Sequence, residues 1–198
     1  MSSGIDMSFV RETYQKMSDD EITRILCTES QGLTFEALEI VKEEVIRRNL
    51  DPRIITSVEV QNKIHTLEEI DSYCKLIQDL PCPHSGSTDQ KLNATVTIEV
   101  ISFLLFTQYK EKIVIGCPRI LDKANNNALT ISAIFGWWGI PWGIIKTFKA
   151  IVGNNKNKWT NHLTTPNDFL RSFVLSKIGE IEIHKDDPEK LKELISLN

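Results

Sequence analysis

The residues best suited to bind a metal are two cysteines that each precede a proline, Cys82 and Cys117. Cysteine thiolates are preferred zinc ligands, and structural zinc sites commonly take two of them from each closely spaced cysteine pair. Neither cysteine has a second cysteine nearby, and the residues three places after them are Ser85 and Ile120. Two thiolates and a neutral hydroxyl make a weak zinc site, so the ligand count disfavours zinc, and we expect no cofactor.

The other reactive side chains form no catalytic pattern. The sequence contains no nucleophile elbow, phosphate-binding loop or dinucleotide fingerprint. Cys82 paired with a distant histidine stays open as a nucleophile, but such pairs arise readily by chance. The four histidines are scattered, without metal-ligand spacing or an evident partner: His65, His84, His162 and His184. We therefore expect a protein that is not an enzyme and has no identifiable small-molecule substrate.

Residues 128–145 are the most apolar stretch of the chain. They contain no charged residue, hold three of the four tryptophans, and are followed by Lys146 and Lys149. As one straight helix they would span about 27 Å, close to the hydrocarbon thickness of a bilayer. Tryptophan favours the membrane interface, and lysine favours anionic head groups. The expected membrane contacts are Phe135, Trp137, Trp138, Pro141, Trp142, Lys146 and Lys149.

Three interpretations of this stretch stay open. One is a short spanning helix, although Pro141 should kink it. The second is a re-entrant or interfacial hairpin. The third is a buried segment of a soluble domain with the tryptophans in the core, because short apolar runs are often core.

The first third of the chain predicts a helical hairpin. Residues 18–21 form a capping box, Gly32 ends the first helix, and Thr34 caps the second. Residues 54–65 are polar and mixed and predict a linker, and a second capping box at 66–69 opens a further helix. The apolar stripe expected on the second helix is Phe35, Leu38, Val41, Val45 and Ile46.

The remaining chain predicts a sheet followed by helices. Residues 94–116 alternate in part and predict two or three antiparallel strands, with a charged turn at 109–111. The polar run 153–158 predicts a break. Thr165 is expected to cap a helix that Gly179 ends, before a short strand at 180–184 and a last helix opened by Asp187-Pro188.

The two Cys-Pro frames and the tryptophan stretch together resemble an uncharacterised bacterial family. That family joins a zinc ribbon to a Gly-Trp-Trp-Gly-Ile-Pro-Trp-Gly segment. Leu92-Asn93, residues 121–124 and Lys146-Thr147 add to the resemblance, which covers residues 81–155. It implies a ribbon-like sheet beside a membrane segment, here with a degenerate metal site, since Ser85 and Ile120 replace two ligands.

These patterns predict an α+β fold and a protein that attaches to membrane lipid. The net charge of -4 argues against nucleic acid as a partner, and the N-terminus lacks an apolar signal region. We expect a cytoplasm-facing interaction platform at the inner membrane, with a protein partner or self-association. The alternative is a soluble, cytoplasmic α+β protein. The expected segments are a helical hairpin (1–53), a linker and helix (54–80), a ribbon-like sheet (81–127), the apolar segment (128–152) and a helical tail (153–198).

Overall fold

The computed structural model describes residues 7–196, which form nine α-helices, one 3-10 turn (Ser30–Gly32) and one antiparallel pair of strands. The α+β class expected from the sequence is therefore confirmed. The helices are α1 (Met7–Lys16), α2 (Asp19–Thr28), α3 (Phe35–Arg47), α4 (Arg53–Asn62), α5 (Leu67–Gln78), α6 (Pro118–Phe135), α7 (Trp142–Lys158), α8 (Asp168–His184) and α9 (Pro188–Ser196). The strands are β1 (Asn93–Phe103) and β2 (Phe106–Gly116).

The described chain forms two compact units. The first comprises residues 7–67 and 175–187, and the second comprises residues 68–174 and 188–196. Helix α8 contributes its first turns to the second unit and its remaining turns to the first.

The first unit has a small apolar core made by α2, α3, α4 and the end of α8. Both predicted helix starts are confirmed, because Ser18 and Glu21 form a complete capping box and the Thr34 hydroxyl accepts a hydrogen bond from the Ala37 amide. The core residues are Ile22, Leu26, Cys27, Val41, Val45, Ile54, Val58 and Ile183.

Two expectations for this unit were wrong. The supposed linker at 54–65 is mostly helix α4, whose buried Ile54 and Val58 are four residues apart and share one face. The stripe on α3 is narrower than expected, because Phe35 and Ile46 are exposed. Only the residues on the central line of the helix face reach the core.

The end of α8 also differs from its sequence pattern. Gly179 does not end the helix, and the segment 180–184, expected as a strand, completes it. A Cβ on Gly179 would lie 2.2 Å from Gln61 Nε2, so the glycine permits close approach of α4. The alternation of apolar residues was too short to distinguish a strand from a buried helix end.

The second unit is built around the hairpin of β1 and β2. The strands pair from Asn93 opposite Gly116 to Phe103 opposite Phe106, so the turn lies at Leu104-Leu105. The turn expected at 109–111 is wrong, because those residues continue β2. Leu104 takes a positive φ of 49°, which places an apolar residue where turn-forming residues are usual.

The helices α6 and α7 cover the edge of β1 that β2 leaves open. Asn154 accepts a hydrogen bond from the Ile98 amide (3.0 Å) and donates to the Ile98 carbonyl (2.7 Å). Asn157 donates to the Val96 carbonyl, and the Ser132 hydroxyl accepts from the Val100 amide. Polar side chains thus supply the hydrogen bonds that a third strand would provide.

The segment ends expected at 127 and 152 both fall within the helices that form this interface. Residue 127 lies inside α6, and the polar run 153–158 is the last part of α7. Its asparagines bind β1 rather than forming a break. Similarly, α8 is capped by Asn167, whose side-chain oxygen accepts a bond from the Leu170 amide, and not by Thr165.

Candidate membrane-contact surface

Two apolar tips meet at one end of the second unit. The hairpin tip is Phe103–Phe106, and the helical tip is the connection between α6 and α7, residues 135–142. An isolated bridge pairs Leu104 with Gly139, which holds the two tips side by side. We call the two together the apolar tip.

Small residues allow this close approach. A Cβ on Gly139 would lie 2.6 Å from the Thr107 hydroxyl oxygen, and a Cβ on Gly143 would lie 2.7 Å from that of Ser102. The same two hydroxyls bond to each other at 3.2 Å. A Cβ on Gly136 would clash with Thr147 Oγ1 at 2.0 Å, so α6 and α7 also meet at a glycine. The apolar tip is therefore a packed unit.

The large side chains of the apolar tip point outward. Leu105 is 98% exposed, Trp138 68% and Trp142 63%. The other large exposed residues of the tip are Phe103, Leu104, Phe106, Phe135, Trp137 and Ile140. Trp137, Trp138 and Trp142 thus lie on the surface of this unit, whereas the soluble alternative expected them in its core. Exposed apolar surfaces larger than those of ordinary monomers are typical of sites that contact a partner or a membrane.

The structure therefore places the sequence-predicted residues Phe135, Trp137, Trp138, Pro141 and Trp142 together on one exposed surface. Pro141 does not kink a long helix, because α6 has already ended at Phe135 and α7 begins directly after the proline. The Ile140–Pro141 peptide bond is cis. The segment 128–145 is thus a helical hairpin and not one continuous helix.

Sequence reasoning missed the hairpin tip. Four consecutive large apolar residues, Phe103–Phe106, surround a tight turn, where polar or small residues are the rule. Because the turn was expected to begin five residues later, these residues matched the interior of a strand. The unusual composition of the turn was the signal that could have found them.

Helix α7 has an inverted distribution of polarity. The face packed on β1 consists of small or polar residues, namely Gly143, Thr147, Ala150 and Asn154. The opposite face is exposed and apolar, and it continues the surface of the apolar tip along the helix. Its residues are Ile144, Ile145, Phe148, Val152 and, just beyond the helix end, Trp159.

Lysines flank this apolar face. Lys149 and Lys156 are seven residues apart and therefore lie on one line along α7, and Lys146 is three residues before Lys149. The ammonium group of Lys146 lies 6.0 Å from the centre of the Tyr109 ring, at the limit of a cation–π contact. Burial and the hydrogen bond to Glu111 raise the pKa of Tyr109 to about 12, so its hydroxyl stays neutral.

The two Cys-Pro frames meet at the opposite end of the hairpin. The Cys117 amide donates to Cys82 Sγ at 3.4 Å, and Ser85 Oγ lies 3.7 Å from Cys117 Sγ. A Cβ on Gly116 would lie 3.6 Å from Cys82 Sγ and 3.1 Å from Ile120 Cγ2. All four positions of the degenerate metal site thus cluster in space.

The second frame is not part of a ribbon, however. Cys117 is the cap residue of α6, and Ile120 lies in the first helical turn. The first frame is a tight turn, closed by a bond from the Gly86 amide to the Cys82 carbonyl. Residues 81–127 thus contain a turn, the antiparallel hairpin of β1 and β2, and the start of α6.

The thiol of Cys82 is a strong acceptor site. Burial acts to raise its pKa, but hydrogen bonds from the Ser85 hydroxyl and from the amides of Cys117, His84 and Ser85 together lower it. All four cysteines are free thiols. Among residues 7–196, no three histidine, cysteine or acidic side chains are placed to hold a metal ion.

A cleft of about 1200 Å³ opens beside this cluster and is lined partly by Cys117, Asp122 and His162. His162 Nε2 lies 2.8 Å from Asp122 Oδ2, so this histidine has the partner that the sequence did not reveal. Burial opposes ionisation of Asp122, but the bonds from Asn161 and His162 lower its pKa overall. Within the described residues, no serine, threonine or cysteine side chain is hydrogen-bonded to this pair.

In the part of the chain that the structure describes, no helix has both the length and the apolar character needed to cross a bilayer. Comparison with known proteins identifies no relative, because no family model, curated protein or solved structure matches the chain.

Proposed function

We propose that this protein is a non-enzymatic membrane-surface protein that attaches to a lipid bilayer through the apolar tip. The observation that carries the proposal is the joining of two exposed apolar turns, rich in tryptophan and phenylalanine, into one packed projection. Aromatic side chains of this kind settle at the boundary between head groups and hydrocarbon. The distribution of polarity in α7 supports the same conclusion, since its exposed face is more apolar than its packed face.

The backbone of the hairpin limits how deeply it can enter. The hydrogen bonds made by Val96, Ile98 and Val100 show that the backbone groups of these residues point toward the helices. The backbone groups of the β2 residues opposite them therefore point the other way, toward the outer edge of the hairpin. These β2 residues are Ile113, Glu111 and Tyr109. Within residues 7–196, this outer edge of β2 has no protein hydrogen-bond partner. Such backbone groups need water. Only the apolar tip is therefore expected to enter the lipid, to interfacial depth.

We further propose that the attached protein serves as an interaction platform on the cytoplasmic side of the inner membrane. Its first unit is a helical module whose described surface carries a mixture of acidic and basic side chains, suited to water and to protein partners. Binding of zinc or of another cofactor is not part of this proposal.

The first experiment is flotation of the full chain with phosphatidylcholine vesicles, read together with tryptophan fluorescence. Three of the four tryptophans lie in the apolar tip, so insertion should shift the emission to shorter wavelength. Leu105→Asp with Trp138→Asp should reduce vesicle binding at least ten-fold, because each change places a charge where an apolar side chain would enter lipid.

The matched control is Ile64→Asp with Phe35→Asp. These side chains are 94% and 75% exposed and belong to the first unit. They add the same charge on equally exposed apolar sites, and vesicle binding should not change. Equal loss in both double variants, or no binding by the unaltered protein, would refute attachment through the apolar tip.

A further inference from the structure

The lysines around the apolar tip belong to a locally basic region of an acidic protein. The whole chain has a formal net charge of -4, yet residues 93–158 contain eight basic and three acidic residues, a local net charge of +5. This range includes both strands, α6, α7 and the whole apolar tip. The segment that carries the membrane-contact surface therefore carries charge of the opposite sign to the rest.

The position of these lysines matters as much as their number. In α7, the lysines at 146, 149 and 156 follow one flank of the exposed apolar face. In β2, Lys110 and Lys112 are two residues apart and so project from the same face of the strand. None of these five side chains forms an ion pair within residues 7–196. Their charges are thus available to a ligand.

We infer that the apolar tip docks selectively on membranes containing anionic phospholipid, with the lysines of α7 and β2 binding the head-group phosphates. The inference rests on the proposed function and adds the lipid class. An apolar projection bordered by free ammonium groups matches a bilayer surface, where hydrocarbon lies beneath a layer of phosphates. A soluble phosphate would satisfy the lysines but would leave the apolar tip in water.

The strength of the effect follows from membrane electrostatics. Each lysine near an anionic surface contributes roughly a five-fold gain in partitioning, and salt weakens it. We expect phosphatidylcholine vesicles with roughly one third phosphatidylglycerol to bind the protein at least ten-fold more tightly than neutral vesicles at low salt. High salt should remove most of this gain and leave binding to neutral vesicles unchanged.

The decisive variant is Lys146→Gln/Lys149→Gln/Lys156→Gln, tested by flotation against both vesicle types. It should lose most of the gain from phosphatidylglycerol and retain binding to neutral vesicles. The control is Lys16→Gln/Lys42→Gln/Lys75→Gln, which changes the net charge equally at helices α1, α3 and α5 and should keep the full gain. Circular dichroism checks that both triple variants are folded.

The two proposals fail in different ways. Equal binding of the unaltered protein to neutral and anionic vesicles would overturn the lipid selectivity and leave attachment through the apolar tip intact. Equal loss of the gain in both triple variants would also overturn it, since total charge and not the α7 flank would then decide. Absence of binding to every vesicle would overturn the proposed function itself.

Discussion

At the scale of single residues, Asn154 shows how a polar side chain can replace a strand. It bonds both backbone groups of Ile98, and it also donates to the Ala150 carbonyl within its own helix. Asn125 contacts it at 3.3 Å and bonds the Val96 carbonyl. Since Asn154 is fully buried, these bonds are made away from water, where an unpaired backbone group is costly.

We predict that Asn154→Ala destabilises the protein by about 1–3 kcal/mol, because it leaves the Ile98 amide without its partner and removes one of the two bonds to the Ile98 carbonyl, which keeps the Ser132 hydroxyl. Asn155→Ala is the matched control, as Asn155 is exposed on the same helix, and it should change stability by less than about 0.5 kcal/mol. Urea unfolding followed by tryptophan fluorescence measures both. Equal midpoints for the two variants would show that water replaces the lost bonds.

Glu44 is the residue on which the acid stability of the first unit should depend. Its carboxylate is buried and accepts bonds from Arg47 and Arg48, which lower its pKa from 4.5 to about 2 against the opposing effect of burial. Arg48 in turn bonds the carbonyls of Tyr14, Gln15 and Met17 at the end of α1. The ion pair therefore holds the connection between α1 and α2 against α3.

Because the pKa of Glu44 is lower in the folded than in the unfolded state, its contribution is fully present above about pH 5. It is lost as the pH falls from 4.5 toward 2. Glu44→Gln should lower stability at pH 7, and its difference from the unaltered protein should shrink toward pH 2. Urea midpoints across this range test it, with exposed Glu36→Gln as control. A difference that does not change with pH would contradict the assignment.

At the scale of elements, the local signals at Ser18 and Thr34 were reliable, those at Thr165 and Gly179 were not, and the long-range contacts were not predicted. The capping residues Ser18 and Thr34 act on amides within three positions, so their helices could be predicted. The break expected at 153–158 failed because Asn154 and Asn157 bond residues of β1 that lie more than 50 positions earlier. Such a role depends on tertiary contacts, and composition alone indicates a loop.

The candidate site also combines features that composition reveals with features that depend on tertiary contacts. The aromatic residues of 128–145 could be identified from composition, but their exposure depends on the loop that separates α6 from α7. The hairpin tip was missed because the register places its turn at Leu104-Leu105, which the local residue types disfavour. Only the pairing of the strands reveals that the two apolar segments meet.

The turn at Cys82–Ser85 and the start of α6 form an element whose metal-binding geometry is incomplete. We predict that Ser85→Cys/Ile120→Cys binds one zinc ion, because all four positions already lie together and four thiolates complete a tetrahedral site. Its thermal midpoint should rise with added zinc, since the metal binds the folded state.

The unaltered protein and each single variant are the controls. With at most three thiolates, they should bind zinc more weakly, and the unaltered protein should show no stabilisation. Zinc released by acid and measured with a chromogenic chelator gives the stoichiometry. A double variant that folds without retaining zinc would show that Ile120, on the first turn of α6, does not face the same point as the two native cysteines.

At the scale of the whole molecule, charge is divided between the two units. Taken over the sequence, residues 1–67 and 175–187 contain 10 basic and 16 acidic residues, whereas the remainder contains 13 basic and 11 acidic residues. The first unit is thus strongly acidic, and the unit that bears the apolar tip is weakly basic. An anionic membrane therefore attracts the second unit electrostatically and repels the first.

The division of charge between the two units predicts which backbone amides a bound membrane would protect from hydrogen exchange. Hydrogen exchange of the protein on anionic vesicles should slow at Phe103–Phe106 and at residues 135–142. It should not slow in α2, α3 and α4, because these helices belong to the acidic unit and repulsion keeps them in water. The loop residues Trp137 and Trp138 are the most informative, since their amides lie outside regular helix and should exchange quickly in the free protein. Slower exchange confined to the first unit would reverse the assignment of the lipid-facing unit. Slower exchange in both apolar turns together would confirm that they enter the membrane as one projection.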